Sequence, residues 1–136
     1  MSKLYINLPV ENLAKSIEFY RALGFIQNLD FSDEKAAAMT LDDSLSVMLL
    51  TRDFFVRFVP AHKTISDSHQ VTEVLNALEL DSREAVDALF DKAISAGGKK
   101  TVDTYDYGFM YGRDFEDPDG HIWEAFWMDV SQMPKE

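Results

Sequence analysis

A recurring spacing limits what this chain can fold into more than any single motif does. Leu13, Ile17, Tyr20 and Gly24 reappear as Val86, Phe90, Ala93 and Gly97, each 73 residues later. The first three of each set fall on one helical stripe, and the glycine stands where a helix stops in a left-handed residue. Asn12 and Ser82 are the matching N-caps. A strand precedes each helix, Leu4 to Val10 and Val74 to Leu80. In the first, Ile6, Leu8 and Val10 share one face, and Tyr5 and Asn7 the other. Phe25 to Phe31, Ala36 to Leu41 and Leu45 to Leu50 read as the strands after the first helix, with Asp42-Asp43-Ser44 as a tight turn. Lys99 to Tyr105 and the two arms of a hairpin follow the second. A βαβββ unit thus occurs twice. One unit cannot bury its sheet alone, so the fold class expected is α+β, two βαβββ modules forming a curved mixed sheet around a cup. Residues 1–136 make one domain: module 1 at about 1–51, a linker at 52–72 and module 2 at about 73–130.

In the linker, Phe54, Phe55, Phe58 and Val59 suit one helical turn before Pro60. The polar run after it is a candidate lid, and it carries His62 and His69, two candidates to reach into the cup. Net charge is −11, which argues against nucleic acid and anionic membranes and suits a cationic ligand. With no cysteine there is no disulfide, thiolate metal site or thiol nucleophile. No apolar run nears the ~18 residues of a membrane span, and the first residues lack a signal-peptide layout, so the cytoplasm is the expected compartment.

The stretch Tyr107 to Met128 reads as a hairpin around Asp117-Pro118-Asp119-Gly120, a type I turn signal. With Glu116 opposite His121, Arg113 faces Glu124 and Tyr111 faces Phe126, all on one side. A charged pair on an apolar face is either a structural salt bridge or a ligand contact.

Three stretches, Asn7-Leu-Pro-Val-Glu-Asn-Leu-Ala-Lys-Ser-Ile-Glu-Phe-Tyr20 with Leu23-Gly-Phe25, Ala96-Gly-Gly98, and Asp117-Pro-Asp-Gly-His-Ile-Trp-Glu124, resemble the vicinal oxygen chelate superfamily, which spans glyoxalases, bleomycin-resistance proteins and dioxygenases. The similarity is greatest to the branch labelled predicted lactoylglutathione lyase. The resemblance implies one divalent metal held by side chains from the first and last strands of each module. The corresponding positions here are Tyr5, Leu49, Leu75 and Glu124, of which only Glu124 is an ordinary metal ligand. The expectation is therefore a small-molecule-binding homodimer of this superfamily with a degenerate metal site. Its ligand contacts would be Tyr5, Asn7, Leu75, Tyr111, Arg113 and Phe126. The alternative is a metal-dependent lyase or isomerase of lactoylglutathione lyase type, with Glu124 as both catalytic residue and metal ligand.

Overall fold

The computed structural model describes residues 2–135. The chain divides into two compact units, the first ending at Val71 and the second starting at Thr72.

In the first unit, strand β1 (Leu4–Val10) leads into helix α1 (Leu13–Ala22). Asn12 caps the helix, its side chain accepting from Lys15 N at 3.1 Å, and Gly24 ends it at φ +104°. Strands β2 (Ile26–Asn28), β3 (Ala36–Thr40) and β4 (Leu45–Thr51) complete a four-stranded sheet in the order β1-β4-β3-β2. β1 runs parallel to β4, and the other pairs are antiparallel. Alternation places Val47, Leu49, Ala37 and Met39 against α1, all fully buried. From the helix, Ser16, Phe19 and Tyr20 meet them, and Tyr20 packs edge-on with both Phe19 and Phe25 at 5.3 Å. Each buried ring contributes roughly 1.5–3 kcal/mol. The strand expected over Phe25 to Phe31 is shorter than that. Asn28 accepts from Asp30 N at 3.0 Å, and Ser32 Oγ donates to Asn28 O at 2.7 Å. These local bonds turn Leu29–Phe31 into a 3-10 turn in place of a sheet edge. Helix α2 (Arg52–Phe55) and a further 3-10 turn (Val56–Phe58) form the helical segment expected before Pro60.

The second unit repeats the plan: β5 (Leu75–Glu79), α3 (Arg83–Ser95), β6 (Lys99–Lys100), β7 (Tyr105–Asp106), β8 (Met110–Glu116) and β9 (Ile122–Met128). The path is β5-β9-β8-β6, with β7 also on β8, and β5 is parallel to β9. Ser82 caps α3, and Val86, Phe90 and Ala93 are its buried stripe. The single strand expected from Lys99 to Tyr105 is two short ones. Arg83 pins the second: its guanidinium donates to both Asp106 oxygens, at 2.8 and 2.9 Å, and to Gly108 O at 3.0 Å. The fold is α+β, two βαβββ units with mixed sheets of four and five strands.

Candidate ligand-binding site

The β8–β9 turn decides which residues share a face. Gly120 N donates to Asp117 O at 3.0 Å, as in a type I turn, and Gly120 then takes φ +89°. Asp117 Oδ1 accepts from the backbone of Asp119 and His121, both at 2.9 Å. The strands close one residue later than the expected Glu116–His121 pair, because Asp117 N donates to His121 O at 2.9 Å. The loop is three residues with the glycine as its left-handed member. A slip of one residue reverses every face assignment. Arg113 therefore pairs with Ala125, Tyr111 with Trp127, and Asp114 with Glu124.

Arg113 and Tyr111 consequently lie under α3, on the face opposite Glu124 and Phe126. Arg113 Nη1 reaches Asp87 Oδ1 at 3.1 Å, and its guanidinium lies 3.9 Å from the centre of the Phe90 ring. Tyr111 donates to the same Asp87 oxygen at 2.5 Å, and Arg83 stands over Tyr111 at 5.0 Å and Trp127 at 5.2 Å. The Tyr111 and Arg113 hydrogen bonds hold the Asp87 carboxyl below its usual range. The expected Arg113–Glu124 salt bridge is overturned: the arginine is committed to helix α3.

The face away from α3 carries a different constellation. Leu75, Ala77 and Glu79 of β5 lie beside Ile122, Glu124 and Phe126 of β9, and Asp114 and Gly112 of β8 complete the row. Asp114 is 5% exposed, and among the described residues its one side-chain hydrogen-bond partner is the Tyr105 hydroxyl, which donates to Oδ1 at 3.3 Å. Burial first, and then the Glu124 charge, push the Asp114 carboxyl above its usual range, against the lowering effect of Tyr105. Burial and the two carboxylates also raise Tyr105, which keeps its hydroxyl protonated as a donor. Tyr105 pairs with Gly112, and a Cβ on that glycine would run into the tyrosine ring. Glu124 is half-buried and makes no hydrogen bond or ion pair among the described residues. Like charges set directly across two strands are destabilising, so this arrangement is not explained by stability. Asp114 and Tyr105 were not singled out from the sequence. The signal available was Gly120 as a loop residue, which sets Asp114 opposite Glu124.

Residues 4–125 match the Glyoxalase/Bleomycin resistance protein/Dioxygenase superfamily. The chain belongs to this superfamily. Among solved structures, a hypothetical protein from S. aureus is 28% identical, with a TM-score of 0.77 over 93% of this chain and 94% of that one. A family enzyme from Burkholderia phytofirmans PsJN is 17% identical, with a TM-score of 0.79 over 95% of this chain and 100% of that one. The genomically encoded fosfomycin resistance protein FosX of Listeria monocytogenes is 20% identical, with a TM-score of 0.68 over 96% and 97%. No curated protein matches the sequence.

The donors that a glyoxalase-type metal would require do not fit. Leu49 is fully buried on the α1 side of its sheet, and Leu75, 53% exposed, has no donor atom. Among the described residues no group of three or more histidine, aspartate or glutamate side chains is placed to hold a metal ion. Glu124 has one carboxylate neighbour, Asp114, short of such a set. His62 and His69 are exposed, and the His121 backbone N–H bonds Asp117 within the turn. Tyr5 is 53% exposed on β1, and Asn7, also exposed, lines a cleft of the first unit. No helix among the described residues is long and apolar enough to cross a membrane.

Proposed function

We propose that this superfamily member binds a small cationic organic molecule in the cytoplasm, as a homodimer, on the face of the β5-β9-β8 sheet away from α3. The observation that supports this reading is Glu124, a half-buried carboxylate without a partner among the described residues, set opposite the buried Asp114. A cation would relieve the repulsion between the two and give Glu124 the charge-assisted bond it lacks. Phe126 and Leu75 sit two residues or one strand away and would supply apolar contact. A thermal-shift screen of cationic aromatic compounds, followed by calorimetry, tests it. A ligand that stabilises the protein should lose at least tenfold in affinity in Glu124→Gln. A full panel without binding, or binding unchanged by that substitution, refutes the reading. Light scattering should give twice the 15.5 kDa chain mass.

One observation favours a second reading, a lyase or isomerase. Two adjacent carboxyl groups, one pushed toward its protonated form, are an arrangement used for proton transfer. Glu124 would then move the proton, with Asp114 and Tyr105 as hydrogen-bond donors to the developing charge. Turnover of the methylglyoxal–glutathione adduct, abolished in Glu124→Gln, is the result expected on that reading.

A further inference from the structure

Between β6 and β8 the chain forms a strap, residues 101–109, across the acidic face of the second unit. Its hold on that face is uneven. In the middle, β7 carries Tyr105 onto Gly112, and the ring fills the space that a side chain at 112 would take. Asp114, two residues along the same face, receives the Tyr105 hydroxyl and is 5% exposed. The first end of the strap is weak. Thr101 N reaches Asp114 O only at 3.4 Å, and Thr101 Oγ1 is buried with no hydrogen-bond partner among the described residues. A buried hydroxyl left unpaired destabilises the closed arrangement, and opening would give it water. Val102 and Tyr107 are 54% and 67% exposed, so these strap side chains add little buried apolar contact.

The far end is fastened by one side chain. Arg83, the first residue of α3, grips both Asp106 oxygens and Gly108 O, and Asp106 Oδ1 also accepts from Gly108 N at 2.9 Å. The Arg83 bond and then the Gly108 N–H hold the Asp106 carboxyl down at about 2, so the grip stays charged at neutral pH. It faces water, with the Arg83 and Asp106 side chains 35% and 50% exposed. A segment held by exposed polar bonds and little buried apolar surface opens locally while the rest of the fold stays closed. Two places can absorb the movement: residues 101–104, outside any strand or helix, and Gly108 at φ +81°. We propose that the strap is a gate over Asp114, with the Arg83–Asp106 pair as its latch and Tyr105 leaving Gly112 when it opens. The bare backbone of Gly112 and the Asp114 carboxyl then stand open beside Glu124. What the gate admits rests on the cation reading above. A cation reaches Asp114 only in the open form, so its apparent affinity is reduced by the fraction of chains that are open.

The opening is measured without that ligand. The natural chain has no cysteine, so Asp114→Cys places a single thiol under the strap, and Ala125→Cys places one on the α3 side, at a position 1% exposed. Each full-length protein is labelled under native conditions with two methanethiosulfonates, the trimethylammonioethyl cation and the sulfonatoethyl anion, each rate divided by that reagent's rate with the urea-unfolded chain. The thiol at 114 should label at least tenfold faster than that at 125, which global unfolding alone exposes. Arg83→Ala should speed labelling at 114 by about threefold to tenfold, the range for an exposed but bidentate ion pair, and leave 125 within twofold. Asp106→Asn should do the same, with the Arg83 stacking on Tyr111 and Trp127 kept. Equal rates at 114 and 125, a thiol at 114 as reactive as in the unfolded chain, or no selective acceleration by Asp106→Asn each overturn the gate. The cation reading is scored separately, by a preference at 114 for the cationic reagent that Glu124→Gln reduces at least threefold. Selective acceleration without that preference supports the gate and removes the cation reading; the preference without selective acceleration overturns the gate alone.

Discussion

Replacing Gly112 with alanine tests the geometry of the acidic face directly. The glycine does not occupy a left-handed conformation, so its backbone accepts alanine without strain. The obstacle is Tyr105, whose Cζ, Oη and Cε2 stand where the new methyl would go. The ring must swing off β8, and the tyrosine then loses its packing on the strand and its bond to Asp114. Overpacking of this kind costs about 1–3 kcal/mol. A hydrogen bond to a carboxylate is worth about 1.5–3 kcal/mol, and one of 3.3 Å at a half-buried hydroxyl belongs at or below the low end. Alanine recovers about 0.5–1 kcal/mol of backbone entropy relative to glycine. The net expectation is a loss of about 2 kcal/mol. With Tyr105→Ala already present the obstacle is gone, and Gly112→Ala should then be neutral or stabilising by about 0.5 kcal/mol. Urea denaturation of the four proteins, with an unchanged m-value, yields the coupling energy. About 2 kcal/mol of coupling is expected. Coupling below roughly 0.5 kcal/mol, the ordinary error of additivity, would refute the placement of Tyr105 over Gly112.

Two further outcomes follow from the same hairpin. Asp114 has its folded-state carboxyl raised, so the native state holds the proton more tightly than the unfolded chain; stability is fully present below the ordinary value of 3.8 and declines as pH rises through the raised value. Asp114→Asn should therefore raise the melting temperature by a few degrees at pH 7 and lose that advantage below pH 3.8, and a variant less stable at both pH values would contradict it. The register is open to a covalent test, since the natural chain has no cysteine. Cysteines at 114 and 124 should oxidise to an intramolecular disulfide, whereas cysteines at 113 and 124, on opposite faces, should stay reduced by thiol titration.

The sequence by itself determined the doubled βαβββ plan, because the helical stripes, their caps and their stop glycines are local signals that act within a few residues. Asn12, Ser82 and Gly24 behave in the structure as their positions imply. It also limited the chemistry: Leu49 and Leu75 have no donor atoms in any fold. Two strands were misjudged because side-chain bonds to the backbone at Asn28 and Ser32, and the Arg83 grip on Asp106, override a weak preference for extended chain. Only the tertiary structure decided the hairpin register, since one loop residue separates two pairings that the composition supports equally. That single step moved Arg113 and Tyr111 onto Asp87, 26 and 24 residues away in sequence, and set Asp114 opposite Glu124. Strand alternation has a period of two, so a displacement of one residue exchanges the two faces completely.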